Sequence, residues 1–116
     1  MYYRYECIVP GSTSKSNPGI LTIVDDIFTD QQIWQYAMPF EIWLDEPACT
    51  MSNTISYFTE KGNRKMNKAI RALCRAIDAT GKAKTQCVVV KELDGDNILY
   101  QDKYQVILLR DTTEEP

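Results

Sequence analysis

Histidine is absent from the 116 residues of this chain. Histidine is the commonest general base, the usual activator of a serine or cysteine nucleophile and the commonest metal ligand, so most familiar catalytic arrangements are excluded. The sequence also lacks a P-loop, a dinucleotide-binding glycine run, a nucleophile elbow and a zinc-binding spacing. These absences favour a protein that binds without catalysis, with no cofactor and no metal.

Long apolar segments are missing as well. No apolar run approaches the roughly 18 residues of a membrane span. The N-terminal stretch, MYYRYECIVP, has none of the apolar core of a signal peptide. We therefore expect a cytoplasmic protein with no membrane contact.

The cysteines are scattered, and no two of them form a C-x-x-C pair. They are Cys7, Cys49, Cys74 and Cys87. In a cytoplasmic protein, isolated cysteines in apolar or strand-like segments are most simply free, buried thiols. A zinc site assembled from distant segments and a disulfide are the alternatives that the sequence leaves open.

The remaining composition is that of an ordinary folded domain. Hydrophobic residues make up 44% of the chain and charged residues 25%, which is typical of globular proteins. The length corresponds to one domain and suffices for a core without cross-links. We expect one domain over residues 1–110, followed by a flexible acidic tail, DTTEEP, at 111–116.

Alternating or β-branched stretches predict most of the secondary structure. Residues 2–9 alternate with a period of two and end at Pro10-Gly11, which predicts a first strand. Further strands are predicted at 19–24, 40–44, 54–58, 85–93, 98–100 and 104–110. Asp94-Gly95 predicts a hairpin turn between the strands on either side of it.

A short helix is predicted over about residues 30–37. Thr29 and Gln32 have the spacing of a capping box at its start, and Pro39 ends it. With one longer helix, described next, these elements define an α+β domain with an antiparallel or mixed sheet of four to six strands. The order of the strands does not follow from the sequence.

The long helix is predicted over about residues 63–79, which include the stretch NRKMNKAIRALCRAID. Asn63, or Thr59 one turn earlier, caps its start, and Gly81 supplies the left-handed residue after its end. At about 100° per residue, the apolar side chains form a narrow stripe: Met66, Ile70, Leu73 and Ile77. On the opposite side, within about 60°, lies what we call the basic row: Arg64, Lys68, Arg71 and Arg75. Because the stripe packs on a face of the sheet, the basic row projects into solvent.

Positive charge is concentrated around this helix. Residues 61–84 contain eight of the thirteen basic residues and one acidic residue, for a net charge of +7. The other 92 residues contain five basic and fifteen acidic residues, for a net charge of −10. Lys61 and Lys65 add to the basic row, and we include both among the predicted binding residues.

Three interpretations of the basic row follow from this charge map. It is a solvated face that pairs with acidic loops of the same domain, a contact for nucleic acid phosphates, or a surface for an acidic protein partner. An acidic domain repels a polyanion everywhere except at the helix, so a protein partner is favoured over nucleic acid. The best hypothesis is a small inhibitor or adaptor that acts on nucleic-acid-handling machinery, with direct nucleic acid binding as the alternative. Small chains of this kind are common among phage and mobile-element accessory proteins, including inhibitors of host defence.

Two other sets of residues are weaker candidates. Trp43 lies opposite Phe40 in the alternation of the predicted strand 40–44, so we expect it to be exposed and available as an anchor at an interface. Three groups of neighbouring carboxylates offer metal binding or acid–base chemistry. They are Asp25-Asp26-Asp30, Asp45-Glu46 and Asp94-Asp96. A carboxylate-based enzyme is therefore the third functional hypothesis, and the oligomeric state stays open.

Overall fold

Five strands and five α-helices lie within residues 1–12, 17–41, 44 and 54–109, which are the residues that the computed structural model describes. Their bounds are β1 (Tyr2–Ile8), α1 (Ile20–Ile27), α2 (Asp30–Tyr36), α3 (Met38–Glu41), β2 (Thr54–Thr59), α4 (Glu60–Lys65), α5 (Asn67–Thr80), β3 (Lys84–Val90), β4 (Ile98–Gln101) and β5 (Gln105–Leu109). They form one α+β domain, as predicted. The predicted acidic tail at 111–116 lies outside the described residues.

The strands form one antiparallel sheet in the order β3-β1-β2-β5-β4. Side chains alternate between its two faces, so Tyr3, Tyr5 and Cys7 of β1 point to the same side as Phe58 of β2. The helices cover this face, and the main core lies between the two layers. The helices and the residues that directly flank them contribute Ile20, Ile23, Val24, Phe28, Phe40, Met66, Ile70, Leu73 and Ile77. The strand predictions at 2–9, 54–58, 85–93, 98–100 and 104–110 are confirmed to within three residues at each end.

The strand predicted at residues 19–24 is wrong, because this segment forms the start of α1. Ile20, Ile23 and Val24 are buried against the core, while Asp25 and Asp26 are exposed. Apolar residues at these spacings, continued by Ile27, follow one face of a helix. Helical periodicity and burial therefore override the β propensity of the branched residues.

The predicted short helix is confirmed as α2, and its capping box is present. Gln32 N–H donates to Thr29 Oγ at 3.3 Å, and Thr29 N–H donates to the Gln32 side chain at 2.9 Å. The strand predicted at 40–44 is wrong at its start, because Phe40 belongs to α3. Pro39 does not end helical structure here, since a proline is compatible with the first turn of a new helix.

The predicted hairpin at Asp94-Gly95 is also wrong. β3 and β4 lie at opposite edges of the sheet, so the segment between them has to cross a whole sheet face. Leu93 of this connection lies beside Tyr57 of β2 and Leu108 of β5, on the face away from the helices. Asp94-Gly95 instead begins a short 3-10 helix, in which Asp94 accepts hydrogen bonds from Asp96 N–H and the Asn97 side chain.

The tight connection between β4 and β5 depends on Asp102. Its carboxylate accepts hydrogen bonds from Tyr100 OH at 2.7 Å and from the backbone N–H groups of Tyr104 and Gln105 at 2.8 and 2.9 Å. Partial burial of the carboxylate opposes ionisation, but these three donors prevail and lower the pKa of Asp102 below its usual value.

We expect Asp102→Asn to destabilise the protein by about 1 kcal/mol at pH 7 and to flatten its acid response. A carboxyl pKa that is lower in the folded than in the unfolded state adds stability above the unfolded value, and this stability disappears as the pH falls through the folded value. Urea unfolding between pH 3 and pH 7 measures both effects, with Asp96→Asn as the control. Equal pH profiles for wild type and Asp102→Asn would contradict the assignment.

Candidate binding surface around the basic helix

The apolar stripe of the predicted helix is buried as expected. Met66, Ile70, Leu73 and Ile77 are at most 3% exposed and contribute to the core. The end of α5 is also as predicted, because Gly81 follows it with a left-handed φ of 72°. The helix therefore has one face that the core fully uses and one that it leaves to solvent.

The predicted continuous helix over 63–79 is corrected to two helices. Met66, with φ −103° and ψ 13°, leaves the helical region between α4 and α5. Lys68, Arg71 and Arg75 share one face of α5 through their spacing, whereas Arg64 belongs to α4. The basic row thus spans a break in the helix that its periodicity did not reveal.

The two helices are attached to different parts of the fold. Thr59 Oγ accepts a hydrogen bond from Gly62 N–H at 3.1 Å and donates one to the Lys103 carbonyl at 2.6 Å. Tyr5 OH also donates to Asn63 Oδ1 at 2.5 Å. α4 is therefore tied to the β4–β5 connection and to β1, while α5 packs on α1, α2 and β3. Of the two predicted caps, Thr59 is the one that starts helical structure.

All six predicted basic residues of this region are exposed: Lys61, Arg64, Lys65, Lys68, Arg71 and Arg75. Within the part of the chain that the structure describes, no member of the basic row forms an ion pair. The acidic residue of this region, Asp78, bonds instead to the N–H and hydroxyl groups of Thr85, at 2.8 and 3.1 Å from Oδ1. Among the described residues, no carboxylate therefore neutralises the basic row.

An exposed tryptophan lies on a helix that neighbours α5. Trp34 of α2 is 68% exposed, more than any other large hydrophobic residue described. The adjacent Ile33 is half-buried and packs against the core, which leaves Trp34 turned towards solvent. Trp43 lies outside the described residues, and the alternation that predicted its exposure does not apply, because Phe40 is helical.

The described cysteines are free thiols. Cys7 is buried, Cys74 is half-buried and Cys87 is exposed, so of these three only Cys7 has the predicted burial. Desolvation raises the pKa of Cys7 to about 11 and also raises the pKa values of Cys74 and Cys87, so these thiols are protonated at neutral pH. Cys49 and the Asp45-Glu46 pair lie outside the described residues. Among the residues that are described, no group of three or more His, Cys, Asp or Glu side chains is arranged to hold a metal.

Comparison with protein-family models, with curated proteins and with solved structures finds no match to this chain. No helix within the described residues is long and apolar enough to span a membrane.

Proposed function

We propose that this protein is a non-catalytic binding protein whose basic row contacts an acidic patch on a protein partner. The observation that carries the proposal is that the four residues of the basic row, Arg64, Lys68, Arg71 and Arg75, are exposed and form no ion pair with a described carboxylate. The opposite face of α5 is committed to the core, so changes in the basic row affect the fold very little.

The charge of the rest of the chain favours a protein partner over free nucleic acid. Outside residues 61–84 the chain has a net charge of −10, which repels a long polyanion along most of its length. A compact partner with a local acidic patch meets the basic row and avoids the remaining surface. The opposite charges of the two parts also orient the protein during encounter.

Proteins that handle nucleic acid carry a basic surface for its phosphates, and the acidic remainder of this chain is complementary to such a surface. We therefore propose an inhibitor or adaptor of nucleic-acid-handling machinery, such as a phage or mobile-element protein that inhibits host defence. The acidic remainder of the chain then faces the basic surface, while the basic row holds an acidic surface next to it.

Affinity capture from the native host, followed by mass spectrometry, tests this proposal with two variants of equal charge. The row variant replaces the basic row with glutamine: Arg64→Gln, Lys68→Gln, Arg71→Gln and Arg75→Gln. The control variant removes four exposed cations outside the basic row: Lys82→Gln, Lys84→Gln, Lys91→Gln and Lys103→Gln. We expect a protein that wild type and the control variant retain and the row variant loses.

The alternative function, direct nucleic acid binding through the same cations, gives a different result. Wild type then shifts duplex DNA or RNA in a gel at low salt, with an affinity that falls steeply as salt rises. Recovery of nucleic acid alone, or of no protein that distinguishes the row variant from the control variant, contradicts the proposal of a protein partner.

A further inference from the structure

The two edges of the sheet differ in a way that bears on self-association. β4 is four residues long, and its register with β5 is irregular. β3 is seven residues long and pairs with β1 without interruption, from Lys84 opposite Ile8 to Val90 opposite Tyr2. No strand among the described residues pairs with the outer side of β3.

One hydrogen bond of β1 shows which backbone groups of β3 point away from the sheet. Cys7 N–H donates to the Pro18 carbonyl, on the side of β1 away from β3. Cys7 and Thr85 are therefore a non-hydrogen-bonded pair, and by alternation Gln86 and Val88 bond to β1. The backbone groups of Thr85, Cys87 and Val89 consequently point outward. Thr85 N–H already donates a hydrogen bond to the Asp78 carboxylate, at 2.8 Å.

The side chains of this edge give little protection against strand addition. Residues 85–90, TQCVVV, contain no charge and no proline, and Val89 is 48% exposed. Natural edge strands usually carry lysine, proline or a bulge that blocks pairing with another chain. The charged residues lie only at the ends of β3, at Lys84 and just beyond it at Lys91 and Glu92.

We propose that two copies of this chain form a two-fold dimer by antiparallel pairing of their β3 strands, centred on Val88. In this register Cys87 of each copy lies opposite Val89 of the other copy. These two symmetry-related pairs together form four N–H···O bonds. These bonds use every outward group of Cys87 and Val89 and leave Thr85 N–H with Asp78. Because β3 ends at Val90, the paired segment runs from Gln86 to Val90 of each copy and contains no charged residue.

The dimer arranges the helices in a defined way. Residues opposite each other in paired strands lie on the same face, so a continuous ten-stranded sheet carries both helical layers on one side. Both basic rows then project from that side. That both basic rows contact one partner rests on the proposed function, whereas the dimer itself does not.

Sedimentation equilibrium of the full chain tests the dimer. We expect wild type to sediment as a dimer at micromolar concentration and Val89→Lys to raise the dissociation constant at least tenfold, because it puts a lysine on each paired edge. Leu99→Lys, at a residue 42% exposed on the opposite edge strand β4, is the matched control and stays dimeric. A monomeric wild type at about 100 μM, or a dimer that Leu99→Lys and not Val89→Lys disrupts, overturns the proposal.

Cross-linking tests the register without relying on a destabilising change. With Cys49 and Cys87 replaced by serine, Val88→Cys brings the two introduced thiols to a Cα separation of about 4.5 Å across the two-fold axis, within disulfide range. Val90→Cys faces Gln86 of the second copy and serves as the control. We expect a disulfide-linked dimer from Val88→Cys alone. Cross-linking through wild-type Cys87 with none through Val88→Cys overturns the proposed register.

Discussion

Gly62→Ala is expected to lower the free energy of unfolding by about 3 kcal/mol. Gly62 is buried in α4, and a Cβ atom there would overlap the backbone carbonyl group of Tyr104. The carbonyl is held in place, because it also accepts the hydrogen bond of Thr59 N–H at 3.0 Å. In the variant, α4 would have to move away from the β4–β5 connection, so the contacts between the two would be lost.

Urea unfolding measures this effect, and Gly95→Ala is the matched control. Gly95 has neither a positive φ nor an atom within 4 Å of an added Cβ. The control is therefore expected to change stability by no more than about 0.5 kcal/mol. If Gly62→Ala lowers the free energy of unfolding no more than Gly95→Ala does, the close approach of α4 to Tyr104 is not a feature of the fold.

Arg4→Met is expected to cost about 3 kcal/mol, although it nearly preserves the side-chain volume. Arg4 is 6% exposed on the sheet face away from the helices. Its guanidinium donates to the Ser56 carbonyl of β2 at 3.2 Å and to the Asn17 carbonyl at 3.0 Å, and its Nε lies 3.3 Å from Glu6 Oε2. These bonds join β2 and the segment before α1 where both lie beside β1.

The cost arises mainly from the groups that Arg4 would leave behind. The Glu6 side chain is 14% exposed, so its carboxylate would lose its ion-pair partner in a poorly solvated position. Adding Glu6→Gln removes this charge, and the double variant is expected to regain about 1 kcal/mol relative to Arg4→Met. Arg71→Met, at an exposed residue of the basic row, is the control for loss of an arginine.

Urea unfolding of these variants separates the contributions. A double variant no more stable than Arg4→Met would show that the uncompensated charge of Glu6 is not the source of the cost. A loss below about 0.5 kcal/mol for Arg4→Met, equal to that of Arg71→Met, would contradict a structural role for the buried guanidinium.

The sequence predicted the fold class because strong local patterns and global packing agree in most elements. The alternation of β1, the capping box at Thr29 and the apolar stripe of α5 each have one favourable structural solution. α1 was mispredicted because the segment was ended at Val24, which hid the helical spacing that Ile27 completes. Periodicity is informative only over the full length of an element.

The remaining errors concern contacts between distant parts of the chain. Asp94-Gly95 has the local chemistry of a hairpin, but β3 pairs with β1, and no local signal shows this. The break at Met66 follows from the attachment of α4 to the connection at residues 103–104, some forty residues away. The burial of Arg4 likewise depends on carbonyl groups of two remote segments.

The candidate site was predictable in its residues and not in its geometry. Helical spacing alone assigned the basic row to the solvent side, and all four of its residues are exposed. That Arg64 lies before a break, that Asp78 is engaged by Thr85 and that Trp34 is exposed nearby all depend on tertiary packing.

The dissociation constant of the captured partner, measured at 0.15 M salt for wild type, the row variant and the control variant, tests the central claim most directly. Four charge contacts of about 0.7 kcal/mol each predict that the row variant binds about 100-fold more weakly. The control variant, with the same net charge, is expected to bind within about threefold of wild type. Equal losses in both variants, or unchanged binding by the row variant, would contradict the claim that the basic row is the binding surface.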